Sequence, residues 1–125
     1  MEQSNENIET AKALYNAWSN SDRDAIESLL APDFHFTSPL DNRLDRSGYF
    51  EYCWPNSGGG GEFEFVGFGT ADDRVWVTYE GHQGAVGGRN TELITVRDGK
   101  VVDVEVYFGW TVPHDVPKGS HRDPA

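Results

Sequence analysis

One carboxylate in this chain stands among apolar residues in a segment whose alternation predicts a β-strand. Glu92 shares alternate positions with Ile94 and Val96, residue types that fill the buried face of a strand. Burial disfavours the charged form of a carboxyl and therefore raises its pKa. A carboxyl with a raised pKa gives and takes protons near neutral pH, so Glu92 is our candidate for general acid or base catalysis.

The register of the hairpin after Glu92 decides which residue lies opposite this carboxyl. A two-residue loop, Asp98-Gly99, sets Glu92 opposite Glu105, and like charges in a cross-strand pair repel each other. A three-residue loop over 97–99, with its glycine left-handed in a bulge, sets Glu92 opposite Val104 instead. We predict the second register because it avoids the repulsion. The other pairs in this register are Val96 with Lys100, Ile94 with Val102 and Asn90 with Val106.

Two more polar side chains fall on the face of Glu92 in this arrangement. Asn90 lies two residues before it, and Tyr79 shares one face of the preceding strand with Val75 and Val77. We predict that Glu92 moves a proton while Tyr79 and Asn90 orient it or stabilise developing negative charge. The structural alternative is a carboxylate that is simply held by hydrogen bonds to the same two groups.

Two helices are predicted at the start of the chain, where they can pack over this face. The first is capped by Ser4 or Asn5, and the second is capped by Ser21 and ends before Pro32. Apolar residues recur at helical spacing in both segments. They are Ala11, Leu14, Tyr15 and Trp18 in the first helix and Ala25, Ile26, Leu29 and Leu30 in the second.

A strand and a third helix are predicted next. Residues 33–38 alternate like a half-buried strand, with both phenylalanines on the inner face. The segment 40–43 is expected to be a loop, and Asp45 is expected to cap a helix that ends near Trp54. The glycines at 58–61 predict a flexible loop, because no GK[ST] sequence follows to make a phosphate-binding loop.

The second half of the chain predicts an antiparallel meander. Alternating segments between Gly- and Asp-rich turns cover residues 62–69, 75–82, 88–97 and 100–109. Helices followed by a meander indicate an α+β fold with the helices packed on one face of a curved sheet. We assign residues 1–111 to one domain and expect the polar segment 112–125 to be extended or disordered.

The composition argues against several classes of function. The 125 residues carry 21 acidic and 10 basic side chains, and the formal net charge of −11 repels nucleic acid and anionic lipid. No apolar run approaches the roughly 18 residues that span a membrane, and the polar N-terminus is not typical of a secretory signal. The single cysteine, Cys53, suits a reducing cytoplasm and is expected to be a buried, inert thiol. No metal-ligand spacing is present, so we expect neither a metal nor another cofactor.

The order of these elements resembles the nuclear transport factor 2-like superfamily, and in particular its SnoaL-like and ketosteroid isomerase branches. The resemblance rests on ALYNAWSNSDRDAIESLLAPDF, on FTSP and on the final hairpin TVRDGKVVDVEVYF, and it covers nearly the whole chain. It implies a cone-shaped fold with a deep apolar pocket between the helices and the sheet. It also implies a homodimer formed through the outer sheet face, where Trp76, Thr78, Glu80 and His82 alternate.

The ketosteroid isomerase pattern is only partly present. Its tyrosine position falls on Leu14, with Tyr15 adjacent, its base position falls on Ser38, and its acid position falls on Glu92. Because two of the three positions differ, the resemblance argues against steroid isomerisation by that mechanism. A fold of this kind also does not determine function.

The sequence therefore predicts a pocket for a small apolar molecule. The favoured function is acid–base catalysis of an isomerase, cyclase or hydratase type, and the alternative is a non-catalytic ligand-binding or dimerisation module. A second polar group facing Glu92 would favour the enzyme. The residues predicted to contact the ligand are Tyr15, Trp18, Phe36, Ser38, Asp41, Val104, Phe108 and Trp110.

Overall fold

The computed structural model describes residues 2–57, 62–83 and 86–113. None of the described helices is long and apolar enough to cross a membrane. The helices are α1 (Glu2–Ser19), α2 (Arg23–Leu29) and α3 (Arg46–Gly48), and α3 continues as a π-helical turn (Tyr49–Cys53) and a 3₁₀ turn (Trp54–Asn56). The strands are β1 (Leu30–Ser38), β2 (Asp41–Asp45), β3 (Glu62–Ala71), β4 (Arg74–Gln83), β5 (Val86–Arg97) and β6 (Lys100–Val112).

The six strands form one sheet in the order β2-β1-β6-β5-β4-β3. β1 and β6 run parallel, and every other neighbouring pair is antiparallel. Alternate side chains of the central strands meet the helices in a core that includes Ala11, Ile26, Val75, Val77, Ile94 and Val101, all with no measurable exposure. The predicted α+β fold, with three helices on one face of a mostly antiparallel sheet, is confirmed.

The first helix begins earlier than predicted. Ser4 and Asn5 lie inside α1 and do not cap it, because the helix already begins at Glu2. The Gln3 amide donates to the side chain of Asn7 one turn later at 3.0 Å, and such a pair stabilises a helix end. An acidic residue in the first turn is also favourable beside the helix dipole.

The cap of α2 is Asp22 and not Ser21. The Asp22 carboxylate accepts from the backbone N–H of Ala25 at 3.2 Å. Ser21 has a left-handed φ of 51°, which does not suit the extended backbone of a helix cap, and its hydroxyl instead lies 2.8 Å from that of Ser57. Leu30, predicted to belong to this helix, is the first residue of β1 and is buried there.

The third helix begins where the sequence predicts. The Asp45 side chain accepts from the backbone N–H of Gly48 at 2.8 Å and caps α3. The helical path then continues beyond Trp54 to Asn56, because Pro55 stands in the first turn of a new 3₁₀ segment, where a backbone donor is not needed.

The loop predicted for residues 40–43 is wrong, because most of this segment belongs to β2. Pro39 and Leu40 form a two-residue turn, and Ser38 and Asp41 pair directly across it. The Ser38 hydroxyl donates to Asp41 Oδ2 at 2.9 Å and accepts from the Leu40 N–H at 3.0 Å. Proline has a fixed φ that favours a turn, and a serine side chain that bonds the backbone two residues later favours it further.

The predicted three-residue loop of the last hairpin is wrong. Asp98 and Gly99 both have positive φ, 53° and 73°, and form the two-residue turn that matches strand twist. The expected repulsion is avoided by a bulge after Val101, which shifts the pairing so that Glu92 faces Val106. The other predicted pairs change accordingly: Val96 pairs with Val101, Ile94 with Val104 and Asn90 with Phe108.

Three predictions fall wholly or partly outside the described residues. They concern the glycine loop 58–61, the segment 112–125 beyond Pro113, and the direction of the His82 side chain. These stay predictions.

Candidate functional site

A cavity of about 530 Å³ lies between the helices and the sheet, a volume suited to a small organic molecule. The predicted site residues that line it are Tyr15, Trp18, Phe36, Ser38, Asp41, Tyr79, Asn90, Glu92, Val104 and Phe108. The other lining residues are Leu14, Phe34, Leu40, Tyr49, Cys53, Asn56, Phe63, Gly81, Gly87, Gly88 and Val106.

Glu92 ends a chain of hydrogen bonds that runs across three strands. The backbone N–H of Gly109 donates to Asn90 Oδ1 at 3.3 Å, and Asn90 Nδ2 donates to the Tyr79 hydroxyl oxygen at 3.3 Å. The Tyr79 hydroxyl donates to Glu92 Oε2 at 2.6 Å. Because the Gly109 N–H can only donate, it orients the amide and leaves the Tyr79 proton free to point at the carboxyl.

Burial raises the pKa of Glu92 above its ordinary value. The side chain is 8% exposed and shares its face with Val77, Ile94 and Val106. The Tyr79 hydrogen bond and, to a smaller extent, the nearby Tyr15 hydroxyl favour the ionised form and lower the pKa, but desolvation is the larger effect. Glu92 therefore keeps its proton to a higher pH than an exposed glutamate does.

Tyr15 brings a second hydroxyl to this carboxyl from α1. The side chain is 4% exposed, and its buried oxygen forms no hydrogen bond of good geometry with the described residues. The Glu92 carboxyl nevertheless lies near enough to raise the pKa of Tyr15, after the larger effect of burial. Tyr15 therefore presents its hydroxyl to the Glu92 carboxyl and not to solvent.

Tyr49 reaches the cavity from the π-helical turn. It is 4% exposed, and burial raises its pKa, with smaller contributions from the Cys53 thiol and the Glu92 carboxyl. Its ring packs edge-on against Phe34 at 5.3 Å, and it also contacts the rings of Trp18, Phe36 and Phe50. Single π-helical turns are often found at functional sites.

A second acidic group lines the cavity at the β1–β2 turn. Asp41 is half-buried there and is held by the Ser38 hydroxyl. The nearby Leu40 also lines the cavity although it is 81% exposed, which places this turn at the opening to solvent. The cavity therefore carries a buried carboxyl, Glu92, and a more accessible one, Asp41.

Two other predicted residues differ in their relation to the cavity. Cys53 lines it, and burial raises the pKa of its thiol to about 12, with smaller contributions from Asp41 and Glu92. Trp110 is not among the described residues that line the cavity. It is 52% exposed, and its ring lies 5.8 Å from the guanidinium carbon of Arg89.

The sequence interpretation missed Tyr49 and Phe63 as lining residues. Tyr49, Phe50, Cys53 and Trp54 recur at helical spacing, and this pattern could have indicated the inward face of the third helix. No comparable signal identifies Phe63. Its ring meets those of Tyr15 and Tyr79 at 5.2 and 5.0 Å, and these contacts depend on how β3 docks under α1.

A bulge near the end of β6 sets the position of Asn90. Asn90 pairs with Phe108 and Arg89 pairs with Trp110, so Gly109 is the extra residue. A β-carbon at Gly109 would overlap the carbonyl oxygen of Arg89, and only glycine allows the strands to approach this closely. No group of three or more His, Cys, Asp or Glu side chains able to hold a metal occurs within the described ranges.

The pattern of a SnoaL-like domain matches residues 11–104, which is most of the chain. The chain belongs to the SnoaL-like domain family. No protein of curated function matches this SnoaL-like chain.

The chain is also similar in fold to several solved structures. A protein from Kribbella flavida proposed to be a ketosteroid isomerase is 17% identical over 97% of this chain and 92% of its own, with a TM-score of 0.76. An NTF2-like protein of unknown function from Burkholderia xenovorans is 18% identical over 94% and 92%, with a TM-score of 0.77. TerC, crystallised with polyporic acid, is 27% identical over 83% and 92%, with a TM-score of 0.68. The SnoaL-like chain thus has the nuclear transport factor 2-like fold.

Proposed function

We propose that the cavity is the active site of an enzyme that transfers protons to and from a small apolar ligand. The observation that carries this proposal is the buried Glu92 carboxyl. The Tyr79 hydroxyl donates a hydrogen bond to one of its two oxygens, and the Tyr15 hydroxyl, which has no other partner, lies beside it. A carboxylate with a purely structural role is usually surrounded by enough donors to keep it ionised. At Glu92 burial outweighs the donors and favours the neutral acid, which is the form that can donate a proton.

The hydrogen bonds give the two oxygens of Glu92 different tasks. Oε2 accepts from Tyr79, so the proton of the neutral acid resides on Oε1, which accepts none of the bonds in the chain from Gly109. Glu92 donates this proton to the ligand, and Tyr79 then stabilises the anion that remains. Tyr15 stabilises the same anion from α1, because its hydroxyl lies beside the Glu92 carboxyl. Tyr79 and Asn90 act through Glu92 as positioning residues.

The reactions that fit this arrangement are isomerisation, cyclisation and hydration, in which a proton is added at one atom and removed at another. Asp41 would accept the second proton, because it is the other carboxyl that lines the cavity. Ser38 occupies the base position implied by the ketosteroid isomerase resemblance, but a serine hydroxyl does not ionise near neutral pH. The proposal therefore does not include steroid isomerisation by that mechanism.

Deuterium exchange at the carbon next to the carbonyl of 2-tetralone in D₂O tests this function, with NMR as the readout. The wild-type protein should accelerate exchange over buffer, and Glu92→Gln should reduce the acceleration by about 100-fold or more, the range of general acid–base catalysis. Glu64→Gln, an exposed change on β3, serves as the control and should match wild type. Equal acceleration by wild type and Glu92→Gln, or none by wild type, would refute the proposal.

The second candidate function is ligand binding without chemistry. TerC was crystallised with polyporic acid, which supports a small-molecule ligand for this cavity without indicating a reaction. In that case 2-tetralone would bind wild type and Glu92→Gln equally and exchange no faster with either.

We also infer that two copies of the chain associate through the outer face of the sheet. Trp76 is half-buried on this face and pairs with Leu93, while Tyr107 is 54% exposed two residues from Glu105. Aromatic surface among polar residues is typical of an interface. Light scattering should give twice the 13.9 kDa chain mass at micromolar concentration, and a mass near 13.9 kDa would contradict the dimer.

A further inference from the structure

Asn90 bridges three strands on the inner face of the sheet. Its amide nitrogen donates to the Tyr79 hydroxyl of β4 at 3.3 Å, and its oxygen accepts from the Gly109 N–H of β6 at 3.3 Å. We call these three residues the inner bridge. Both distances lie at the long end for such bonds, so a small separation of the strands would break them. The inner bridge therefore depends on how closely β4, β5 and β6 are held together.

A second bridge joins the same three strands at the same level on the outer face. Arg89 of β5 pairs with Glu80 of β4 and with Trp110 of β6. Its Nε and Nη2 donate to Glu80 Oε2 at 3.0 and 2.6 Å, and its guanidinium carbon lies 5.8 Å from the centre of the Trp110 ring. Each residue of this outer bridge is the chain neighbour of a residue of the inner bridge, and neighbours in a strand face opposite ways.

The outer bridge is the stronger of the two. Its ion pair is charge-assisted, and the side chains of Arg89 and Glu80 are only 33% and 20% exposed, so solvent screens them less than a surface pair. The guanidinium is also within attractive range of the Trp110 ring. The carbonyl oxygen of Arg89 lies so close to Gly109 that a β-carbon there would overlap it. Arg89 therefore fixes the spacing of the three strands at the level of Asn90.

We propose that Arg89 is a positioning residue for Glu92, on which it acts through Asn90 and Tyr79. The proposal rests on the proposed function in taking Glu92 as the proton donor, and it adds a residue that is not among the described residues lining the cavity. While Arg89 holds the outer bridge together, the Asn90 amide reaches both of its partners and donates to the Tyr79 oxygen. The Tyr79 proton is then directed at Glu92 Oε2. Without Arg89 the amide detaches, and the Tyr79 hydroxyl can turn away from the carboxyl.

Carbon-13 NMR titration of the Glu92 carboxyl in Arg89→Met and in Glu80→Met tests this inference. Both variants break the ion pair and weaken the hydrogen bond from Tyr79 to Glu92. Both should therefore raise the Glu92 pKa, by up to about one pH unit, the equivalent of one ordinary hydrogen bond. A direct field effect predicts shifts of opposite sign, because one variant removes a positive charge and the other a negative charge. Opposite shifts, or no shift in either variant, would overturn the proposal.

A double variant shows whether the effect passes through Asn90. In an Asn90→Ala background the inner bridge is already absent, so adding Arg89→Met should leave the Glu92 pKa where Asn90→Ala alone sets it. An equal shift in both backgrounds would contradict the proposed route. Arg89→Lys keeps the charge and one bond to Glu80, and it should restore most of the wild-type pKa.

A matched control and a milder variant keep the test decisive. Arg97→Met removes an exposed ion pair with Asp73 at the other end of β5 and should leave the Glu92 pKa unchanged. Circular dichroism at each pH checks that the variants are folded. If Glu80→Met does not fold, Glu80→Gln removes only the charge and should give a smaller rise of the same sign.

The outcome is separable from that of the proposed function, because the Glu92 pKa is measured without a substrate. A raised pKa in both bridge variants, without deuterium exchange by the wild-type protein, would support the positioning role of Arg89 and refute catalysis. Exchange that Glu92→Gln abolishes, with the Glu92 pKa unchanged in both bridge variants, would do the reverse.

Discussion

The Tyr79 hydroxyl donates to Glu92 Oε2 at 2.6 Å, and the groups at the other end of this series of hydrogen bonds determine its direction. The Gly109 N–H orients the Asn90 amide, which then donates to the Tyr79 oxygen. The Tyr79 hydroxyl is therefore a donor to Glu92. Burial favours the neutral acid form of this carboxyl. The site combines an acid that retains its proton with a phenol ready to stabilise the anion once the proton has left.

Tyr79→Phe should raise the pKa of Glu92 still further. The Tyr79 hydrogen bond favours the ionised carboxylate and lowers the pKa, so its loss leaves desolvation less opposed. The pKa is measured by NMR of the Glu92 side-chain carboxyl carbon. Tyr107→Phe is the control, because the Tyr107 hydroxyl bonds Glu105 away from the cavity. A lower pKa in Tyr79→Phe would contradict the assigned direction of the bond.

Glu92→Gln should remove a pH dependence of stability. The native carboxyl keeps its proton above the pH at which the unfolded chain loses it. The wild-type free energy of unfolding should therefore fall as pH rises from about 4.3 to the native pKa, by up to about 1.4 kcal/mol per pH unit. The variant should lack this loss and be at least as stable as wild type at pH 8. Urea denaturation at several pH values measures both, and destabilisation by about 1–3 kcal/mol would indicate a structural anchor instead.

Gly109→Ala should destabilise the protein and disturb Asn90. The added β-carbon would overlap the Arg89 carbonyl oxygen, so the two strands must separate at the bulge. A loss of about 1–3 kcal/mol is the usual effect of such crowding. Gly69→Ala is the matched control, since nothing lies within 4 Å of its β-carbon position. Equal melting temperatures for the two variants would show that the bulge is not tightly constrained.

Cys53 should react slowly with thiol reagents. Burial raises its pKa to about 12, and only the thiolate is nucleophilic. Compared with an exposed cysteine of pKa about 8.5, its thiolate fraction at neutral pH is lower by roughly three orders of magnitude. Reaction with Ellman's reagent at pH 7.5 measures the rate in native and in urea-unfolded protein. A native rate equal to the unfolded rate would show that the thiol is accessible and ionised.

The face of Glu92 could be predicted from sequence, but its register could not. Side chains alternate with a period of two, so Ile94 and Val96 already place Glu92 toward the core. The cross-strand partner depends on one extra residue after Val101, and bulges leave little trace in a sequence. The two-residue turn and the bulge together keep Glu92 from pairing with Glu105. The three-residue loop was expected to do this alone.

The ring contact between Tyr15 and Phe63 lies beyond sequence reasoning for a different reason. Tyr15 and Phe63 are far apart in the chain, and their 5.2 Å ring contact follows from helix-to-sheet docking. The order of elements was predictable because it depends on local patterns and on turns.

The ionisation of Glu92 is the most direct test of the account. A carbon-13 NMR titration of the carboxyl groups, with Glu92→Gln to assign the resonance, gives its pKa in the folded protein. The account predicts a value above the ordinary glutamate value of about 4.3, because burial outweighs the Tyr79 hydrogen bond and the nearby Tyr15 hydroxyl. A pKa at or below that value would mean that Glu92 is a permanently ionised structural carboxylate, and it would contradict the assignment of Glu92 as the proton donor.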